Sequence, residues 1–364
     1  MIIESLELEN YRNYDSLSLK LGSRTNIFFG DNAQGKTNIL EAVYVGSTTK
    51  SHKKSRDKEI IKFGKNESHI RLLLKKNEID YKIDMHIRKN KRKTVAVNGI
   101  PIKKASELLG IAKLIFFSPE DLNIIKNGPS ERRRFIDIEL CQLSKNYLNS
   151  LINYNKCLEQ RNKLMKDIAL GNYGKSEGST ALEVWESELI RYGLEIISER
   201  EEFIKRLNPI INKINKSITE KDEELELSYE PSVNAENYEE KLKKTRNQDM
   251  RYFTTSAGPH HDDMSFLLDG IDLRKYGSQG QQRTASLSLK LSEIEIVKNL
   301  VNDDPILLLD DVLSELDSHR QNCLLAHLGK VQTLITCTGL DDFIKNRIEI
   351  DRVFNVKNGI VDLK

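Results

Sequence analysis

The first 29 residues alternate between apolar and polar positions, with a period of two that predicts three strands. The apolar positions of these strands are Ile3, Leu6, Leu8, Leu17, Leu19, Leu21, Ile27 and Phe29. A glycine-rich loop follows, and then a helical pattern over residues 36–45. Strand patterns return over residues 68–103, where Asn98-Gly99 suits a type I′ hairpin turn.

The period changes to steps of three and four at Ile136, which predicts a long amphipathic helix over residues 136–169. At 1.5 Å per residue such a helix would span roughly 50 Å. The Gly/Ser-rich segment 170–180 interrupts it, and a second helical pattern covers residues 182–218. Two helices joined by a short polar loop should pack antiparallel. Their heptad phase drifts, which favours a short helical arm over a regular coiled coil.

After the segment 225–231 and one more polar helix, strand patterns resume near residues 264–268. The simplest organisation is one α/β domain interrupted by a helical insertion. We therefore expect a first part at 1–130, a helical arm at 131–250 and a returning part at 251–364.

A phosphate-binding loop is the clearest motif of the chain. It follows a predicted strand and opens a predicted helix, which is the context that the pattern Gly-x-x-x-x-Gly-Lys-Thr requires. Its backbone N–H groups and the helix N-terminus would surround the phosphates of ATP or GTP. Lys36 would reach the β- and γ-phosphates, and the Thr37 hydroxyl would bind Mg²⁺. The loop residues are Gly30, Asp31, Asn32, Ala33, Gln34, Gly35, Lys36 and Thr37.

An acidic pair after a buried strand completes the expected site. The apolar run 306–309 suits the centre of a parallel sheet covered on both faces. Asp310 at its end would hold Mg²⁺, directly or through water. Asp311 stands where a carboxylate could polarise the attacking water. An acidic surface loop is the alternative, and the phosphate loop upstream argues against it.

A third motif, Ser278-Gln-Gly-Gln-Gln282, lies at the N-terminal end of a predicted helix. On its own it could be a simple helix cap. It resembles the signature motif of ABC-type ATPases, in which serine and glycine contact the γ-phosphate bound by the other subunit. A hydroxyl and backbone N–H groups without intrahelical partners, at a helix N-terminus, do form an anion-binding site. Ser278, Gly280 and Gln281 would make the contacts, with Gln282 and Arg283 in support.

The order and separation of these motifs resemble the RecF family of bacterial recombination and replication-repair proteins. Five blocks carry the resemblance: Leu8–Tyr14, Phe116–Leu122, Gly128–Asp137, Thr254–Asp263 and Tyr276–Thr284. It implies an ABC-type ATPase head, a mixed sheet with a phosphate loop, interrupted by a helical arm. It also implies that Arg12 lies beside the nucleotide.

The resemblance further implies binding of single-stranded and linear duplex DNA, and ATP-dependent homodimerisation. It also implies cooperation with RecO and RecR in loading RecA at gaps, and a part in SOS induction. An SMC-type break-repair ATPase is an alternative, but it should have a far longer arm and a Cys-x-x-Cys hook. An ABC transporter ATPase subunit, the other alternative, should associate with membranes.

Departures from the wider pattern predict slow ATP hydrolysis. Asp311 replaces the glutamate that is usual in the superfamily, and no histidine follows residues 333–336. His261 stands where the family usually has arginine. A shorter carboxylate and a missing histidine suit an ATP-driven switch better than a motor.

Basic residues cluster locally although the net charge is only +2, with 57 Lys and Arg against 55 Asp and Glu. Residues 50–56 form one cluster and residues 131–135 another. Each could be plain solvated surface. If they bind DNA, contacts with phosphates make the binding sequence-independent and salt-sensitive. The candidate DNA contacts are Arg88, Lys89, Lys91, Arg92 and Lys93.

Four cysteines without metal-ligand spacing predict reduced thiols rather than a zinc site. The N-terminal residues lack a signal-peptide pattern, and no window reaches the ~18 apolar residues of a membrane span. We therefore expect a cytoplasmic protein.

Overall fold

The computed structural model describes residues 1–301, 303–328, 331–339 and 349–364. Its strands are β1 Ile2–Tyr11, β2 Tyr14–Lys20, β3 Thr25–Phe29, β4 Glu67–Lys76, β5 Ile79–Arg88, β6 Lys91–Val97, β7 Ile100–Pro101, β8 Leu114–Phe117, β9 Leu225–Glu230, β10 Asp263–Leu268, β11 Ile271–Asp272, β12 Ile306–Asp310, β13 Thr333–Cys337, β14 Ile350–Lys357 and β15 Ile360–Leu363. Its helices are α1 Lys36–Thr48, α2 Asp57–Ile60, α3 Asn123–Lys126, α4 Pro129–Leu143, α5 Lys145–Ala169, α6 Lys175–Thr219, α7 Tyr238–Tyr252, α8 Leu273–Tyr276, α9 Gln279–Val301 and α10 Ser318–Leu328.

The chain forms two compact units, residues 1–121 with 290–364, and residues 122–289. Their boundaries lie at other positions than the expected divisions at 130 and 250. The first unit contains both flanks of the sequence and the second contains the inserted helices, so the predicted α/β fold with a helical insertion is confirmed. In the described part of the chain, no helix has both the length and the apolar character that a membrane crossing requires.

A mixed sheet in the first unit positions the nucleotide motifs. Its order is β15-β14-β3-β13-β12-β8, and every neighbouring pair is parallel except β14 and β15. Strand β12 is buried along its whole length, as the unbroken apolar run predicts. Because β3, β13 and β12 are adjacent and parallel, their C-terminal ends meet at one edge. Ligands bind at this edge in open α/β sheets.

An antiparallel sheet, β2-β1-β4-β5-β6-β7, forms the other layer of this unit. Its strands alternate between buried and exposed residues, and the buried set packs with helix α1 in one core. Strands β1 and β2 of this sheet and β3 of the mixed sheet confirm the three strands predicted over the first 29 residues, and the hairpin turn at Asn98-Gly99 is confirmed as well. Both turn residues have positive φ, 51° and 79°.

The second unit corrects the predicted long helix over residues 136–169. The helix is broken at Ser144, which separates α4 from α5. Ser144 adopts an extended backbone, and its hydroxyl accepts a hydrogen bond from the Tyr147 N–H at 3.1 Å, which caps α5. A serine that caps a new helix ends the periodicity of the previous one. The predicted break at 170–180 is shorter than expected, since α6 already begins at Lys175.

Helices α5 and α6 pack side by side, joined by the short turn 170–174. A buried charged network ties them to α7: Arg161 donates to Glu186 at 2.9 Å and to Asp249 at 2.9 Å. These groups are almost completely buried, so each depends on its partners for the solvation that water would supply. The four cysteines all lie among the described residues, and no disulfide joins any of them.

Candidate nucleotide site

Two glycines allow the loop between β3 and α1 to curl back on itself. Gly30 has φ 150° and Gly35 has φ 113°, and both values belong to a region that side chains disfavour. A Cβ on Gly30 would lie 2.3 Å from the Val356 carbonyl oxygen. A Cβ on Gly35 would lie 2.5 Å from Asn13 Nδ2. Both glycines are therefore required by the conformation, and not only by a ligand.

Lys36 begins α1, and its side chain folds back over the loop. Its ammonium donates to the carbonyl oxygens of Gly30 and Asp31, the latter at 2.8 Å. Burial lowers the pKa of Lys36 below its usual range, while Asp311 and other nearby groups oppose that shift. The ammonium is desolvated and held over the loop, where a phosphate oxygen would be its natural counter-charge.

Asp310 and Thr37 meet at the sheet edge, although 272 residues lie between them in the chain. The Thr37 hydroxyl donates to Asp310 Oδ1 at 2.8 Å, and the Thr336 hydroxyl donates to the same oxygen at 2.8 Å. Burial raises the pKa of the Asp310 carboxyl, although both hydroxyls favour its charged form. The structure thus brings together the two predicted Mg²⁺ ligands.

Asp311 turns the chain sharply at the end of β12. Its φ is 54°, which is uncommon for a residue with a side chain. Its N–H donates to Thr336 Oγ1 at 3.0 Å, so one threonine holds both aspartates. Strained backbone of this kind clusters at functional sites. Asp311 also lies close enough to Lys36 to act on its charge.

The structure places Arg12 on a buried carboxylate of α1. Its guanidinium forms a bidentate pair with Glu41, at 2.8 Å and 2.6 Å, and donates to the Glu59 carbonyl and the Ser55 hydroxyl. Glu41 is fully buried and also accepts from Ser51. Arg12 therefore ties the phosphate-loop helix to the segment 51–59, and most of its donors are already engaged.

Replacement Glu41→Gln is expected to lower the free energy of unfolding by about 2 kcal/mol near pH 7, since Arg12 loses its buried counter-charge. Burial alone would raise the pKa of Glu41, but hydrogen bonds from Arg12 and Ser51 hold it below the ordinary 4.5. A lowered carboxylate pKa stabilises the fold above the unfolded value and ceases to do so as pH falls.

The difference between wild type and Glu41→Gln should therefore shrink as pH falls below about 4.5, which urea unfolding at several pH values would measure. Glu9→Gln, at an exposed position of β1, is the matched control and should change little. A difference that stays constant down to acidic pH would contradict the role given to the Arg12–Glu41 pair.

Several residues that the sequence did not single out shape the loop. Asn13 donates to the Gln34 carbonyl at 3.0 Å and accepts from Asn38 at 2.9 Å. The Tyr14 hydroxyl donates to the Gly35 carbonyl at 3.1 Å. Both lie in the block Leu8–Tyr14, where only Arg12 was predicted to act. Thr336 could have been found, because it lies near the C-terminal end of β13, the strand between β3 and β12.

Other predicted loop residues are at the surface. Asp31, Asn32 and Ala33 are exposed, and Ala33 has φ 63°. Gln34 is half-buried, and its amide oxygen accepts from the Asn358 N–H at 2.6 Å. This exposed stretch leads directly into the N-terminus of α1.

Ser278 caps helix α9 in the second unit. Its hydroxyl accepts from the Gln281 N–H at 3.2 Å, and its own N–H donates to Gln281 Oε1 at 2.9 Å. This is a reciprocal capping box. Ser278, Gly280 and Gln281 are exposed, whereas Gln282 is buried and donates to the Leu273 carbonyl at 2.8 Å. Ser278 is therefore a helix cap, and one face of the first turn of α9 remains accessible to solvent.

The predicted DNA cluster lies at the tip of the β5–β6 hairpin. Lys89, Lys91 and Arg92 are exposed and Arg88 is half-buried. Lys93 is turned inward, where it pairs with Asp57 at 2.8 Å and donates to the Thr49 carbonyl. The structure therefore joins this cluster to the second one at 50–56, since Lys93 contacts the residue on either side of that segment.

Comparison with known proteins shows which family this chain belongs to. The model for the RecF/RecN/SMC N-terminal domain matches residues 2–362. The chain is 57% identical to the DNA replication and repair protein RecF of Agathobacter rectalis, over 100% of this chain and 99% of that protein. It is 58% identical to that of Lachnoclostridium phytofermentans, with the same coverage of both chains. The chain belongs to the RecF family.

Solved structures of other proteins share the fold of this chain. The recombination mediator protein RecF in its ATP complex, from the RecFOR pathway, superimposes with a TM-score of 0.91 at 37% identity. That match covers 100% of this chain and 97% of the other. A Pyrococcus furiosus Smc head domain with an extended coiled coil shares the fold, with a TM-score of 0.58 at 15% identity. The predicted family and fold are thereby confirmed.

Proposed function

We propose that this RecF-family chain is an ATP-dependent DNA-binding protein that uses ATP as a switch for dimerisation. The observation that carries the nucleotide site is the 2.8 Å hydrogen bond between Thr37 and Asp310, which joins the phosphate loop to the acidic strand. The ATP complex of a RecF relative 37% identical to this chain supports ATP as the nucleotide.

Mg²⁺ is the metal that these residues fit. Thr37 and Asp310 offer a hydroxyl and a carboxylate oxygen, which are the hard donors that Mg²⁺ prefers. Among the residues described, no cluster of three or more His, Cys, Asp or Glu side chains could hold a metal without help. An Mg²⁺ ion held by Thr37 and Asp310 would arrive with the phosphates and keep several waters. When bound, it would neutralise charge on the β- and γ-phosphates.

Asp311 is the residue that we assign to polarising the attacking water. Its carboxylate is shorter than the usual glutamate, and no histidine follows β13, where the wider superfamily has one. Both features favour slow hydrolysis, which suits a switch. ATP would then close the dimer and hydrolysis would reopen it.

The signature stretch supports a site completed by a second subunit. A Cβ at Gly280 would meet only the Ser278 hydroxyl oxygen, at 3.9 Å. Nothing in the described part of its own chain therefore excludes a larger residue there, although glycine weakens a helix by about 0.5–1 kcal/mol relative to alanine. Because Gly280 has no side chain, a phosphate could approach its backbone closely, beside the capping hydroxyl of Ser278. Ser278, Gly280 and Gln281 are the contacts that we propose for the partner's ATP.

The remaining parts of the proposal follow the family. We infer binding of single-stranded and linear duplex DNA, cooperation with RecO and RecR in loading RecA, a part in SOS induction, and action in the cytoplasm. Relatives named as DNA replication and repair proteins, together with a RecF structure of the RecFOR pathway, support these inferences. The exposed basic hairpin supports the DNA contact.

Reversal of two hairpin charges, Lys91→Glu with Arg92→Glu, is expected to weaken DNA binding and flatten its salt dependence. Each lost phosphate contact should reduce the slope of log K against log salt by about 0.7 for single strands and about 0.9 for duplex. Titration of labelled DNA with ATP at several salt concentrations would measure both quantities.

Lys205→Glu with Lys213→Glu, at two exposed positions of α6, gives the same charge change as a control. Equal weakening by both double variants would show only a general effect of net charge. Unchanged binding by the hairpin variant would remove the cluster from the DNA site. Lys93 is left intact because its pairing with Asp57 serves the fold.

A further inference from the structure

A tight turn between α2 and β4 presents a fully exposed aromatic side chain. The Lys65 N–H donates to the Lys62 carbonyl at 3.0 Å, and Gly64 has φ 82°. Glycine with positive φ at the third position is the requirement of a type II turn. Phe63 takes the second position, and its side chain is completely accessible to solvent.

The turn is anchored on both sides, so the exposure of Phe63 is built into the fold. The Lys62 N–H donates to the Asn10 carbonyl at 2.8 Å, and its ammonium pairs with Asp15 at 2.7 Å. On the other side, the Lys89 N–H donates to the Asn66 carbonyl at 3.0 Å. A phenyl ring held out by a fixed turn forfeits the stabilisation that burial would give it.

The surroundings of the turn are basic. The Asn66–Lys89 hydrogen bond places the turn directly beside the tip of the β5–β6 hairpin. Glu67 is the cross-strand neighbour of Arg88, and Asp15 is already neutralised by Lys62. The exposed or half-exposed cations of the turn and of the adjoining hairpin tip, without an ion pair among the described residues, are Lys65, Arg88, Lys89, Lys91 and Arg92.

We propose that Phe63 stacks on an unpaired base of single-stranded DNA whose phosphates lie along this basic hairpin. The proposal rests on the DNA binding proposed above, and it adds the class of contact. Aromatic side chains inside positively charged grooves hold single strands without sequence preference, because every base offers a flat face. A second copy of the chain is the other occupant that an exposed ring could take, but the surrounding like charges disfavour it.

The test compares Phe63→Ala with Phe63→Tyr, which keeps the flat ring. Two fluorescent probes of equal length are used, an oligothymidine strand and an abasic strand with the same phosphates but no bases. Wild type and Phe63→Tyr should bind the oligothymidine strand about tenfold more tightly than Phe63→Ala does. Phe63→Ala should also lose most of the preference for bases over the abasic strand, with an unchanged salt slope.

Three results would overturn the proposal. Phe63→Ala could bind both strands as the wild type does, or it could lose affinity equally for the two. It could also lose ATP-dependent dimerisation without DNA in light scattering, which would make the turn a contact between copies. If the wild type binds neither strand, the result contradicts the proposed DNA binding itself, and therefore also the stacking of Phe63 on a base.

Discussion

Replacement of Lys36 by methionine is expected to weaken ATP binding by about a hundredfold or more. The ammonium is partly buried over the loop, and among the described residues its hydrogen-bond partners are the two carbonyl oxygens of Gly30 and Asp31. A charge-assisted contact with phosphate in this desolvated place is worth more than those two contacts. Methionine keeps the length and the apolar stem but supplies no charge. Titration calorimetry with ATP and Mg²⁺ measures the loss.

Lys20→Met is the matched control, because Lys20 is an exposed lysine of the same unit on β2. It should bind ATP as the wild type does. Removal of a buried ammonium with a lowered pKa should not harm the fold, so thermal unfolding of Lys36→Met should stay close to that of the wild type. Normal ATP affinity in Lys36→Met would show that the nucleotide binds elsewhere.

The change Ser278→Asp is expected to suppress ATP-dependent dimerisation while ATP binding to the monomer stays intact. Aspartate caps helices as well as serine does, so the capping box with Gln281 and the stability of α9 should survive within about 0.5 kcal/mol. The new negative charge would oppose the γ-phosphate of the partner's ATP. The dimer should therefore weaken by at least about tenfold. This change separates a helix cap from a phosphate contact, since a cap tolerates aspartate and a phosphate site does not.

Ser278→Arg should prevent the dimer too, but it removes the cap at the same time. Ser278→Thr keeps both the hydroxyl and the cap, so it should dimerise as the wild type does. An aspartate variant that dimerises normally would leave Ser278 with a purely structural role.

Much of the nucleotide site could be predicted from the sequence because its motifs depend on local backbone geometry. The loop 30–37 needs its glycines at fixed positions, and β12 shows its burial as an unbroken apolar run. The register between β3, β13 and β12 brings Thr37 and Asp310 together. That pairing was expected from the motif, but Thr336, on the strand between them, was not.

What the sequence could not show depends on tertiary contacts. The break at Ser144 is hidden by apolar periodicity that continues across it, because a capping serine leaves the spacing of the core residues nearly unchanged. The inward turn of Lys93 depends on Asp57, which is far away in the chain. The exposure of Phe63 depends on anchors at Asn10 and Lys89, and an isolated phenylalanine gives no sequence signal of it.

We propose that ATP dimerises the protein through Ser278 of one subunit and the phosphate loop of the other. Light scattering of wild type and Ser278→Asp, each with and without ATP and a DNA end, tests it most directly. We expect the wild type to double its mass only with ATP, and Ser278→Asp to remain a monomer although it binds ATP normally. A wild type that stays monomeric with ATP, or an aspartate variant that still doubles its mass, would contradict the composite site.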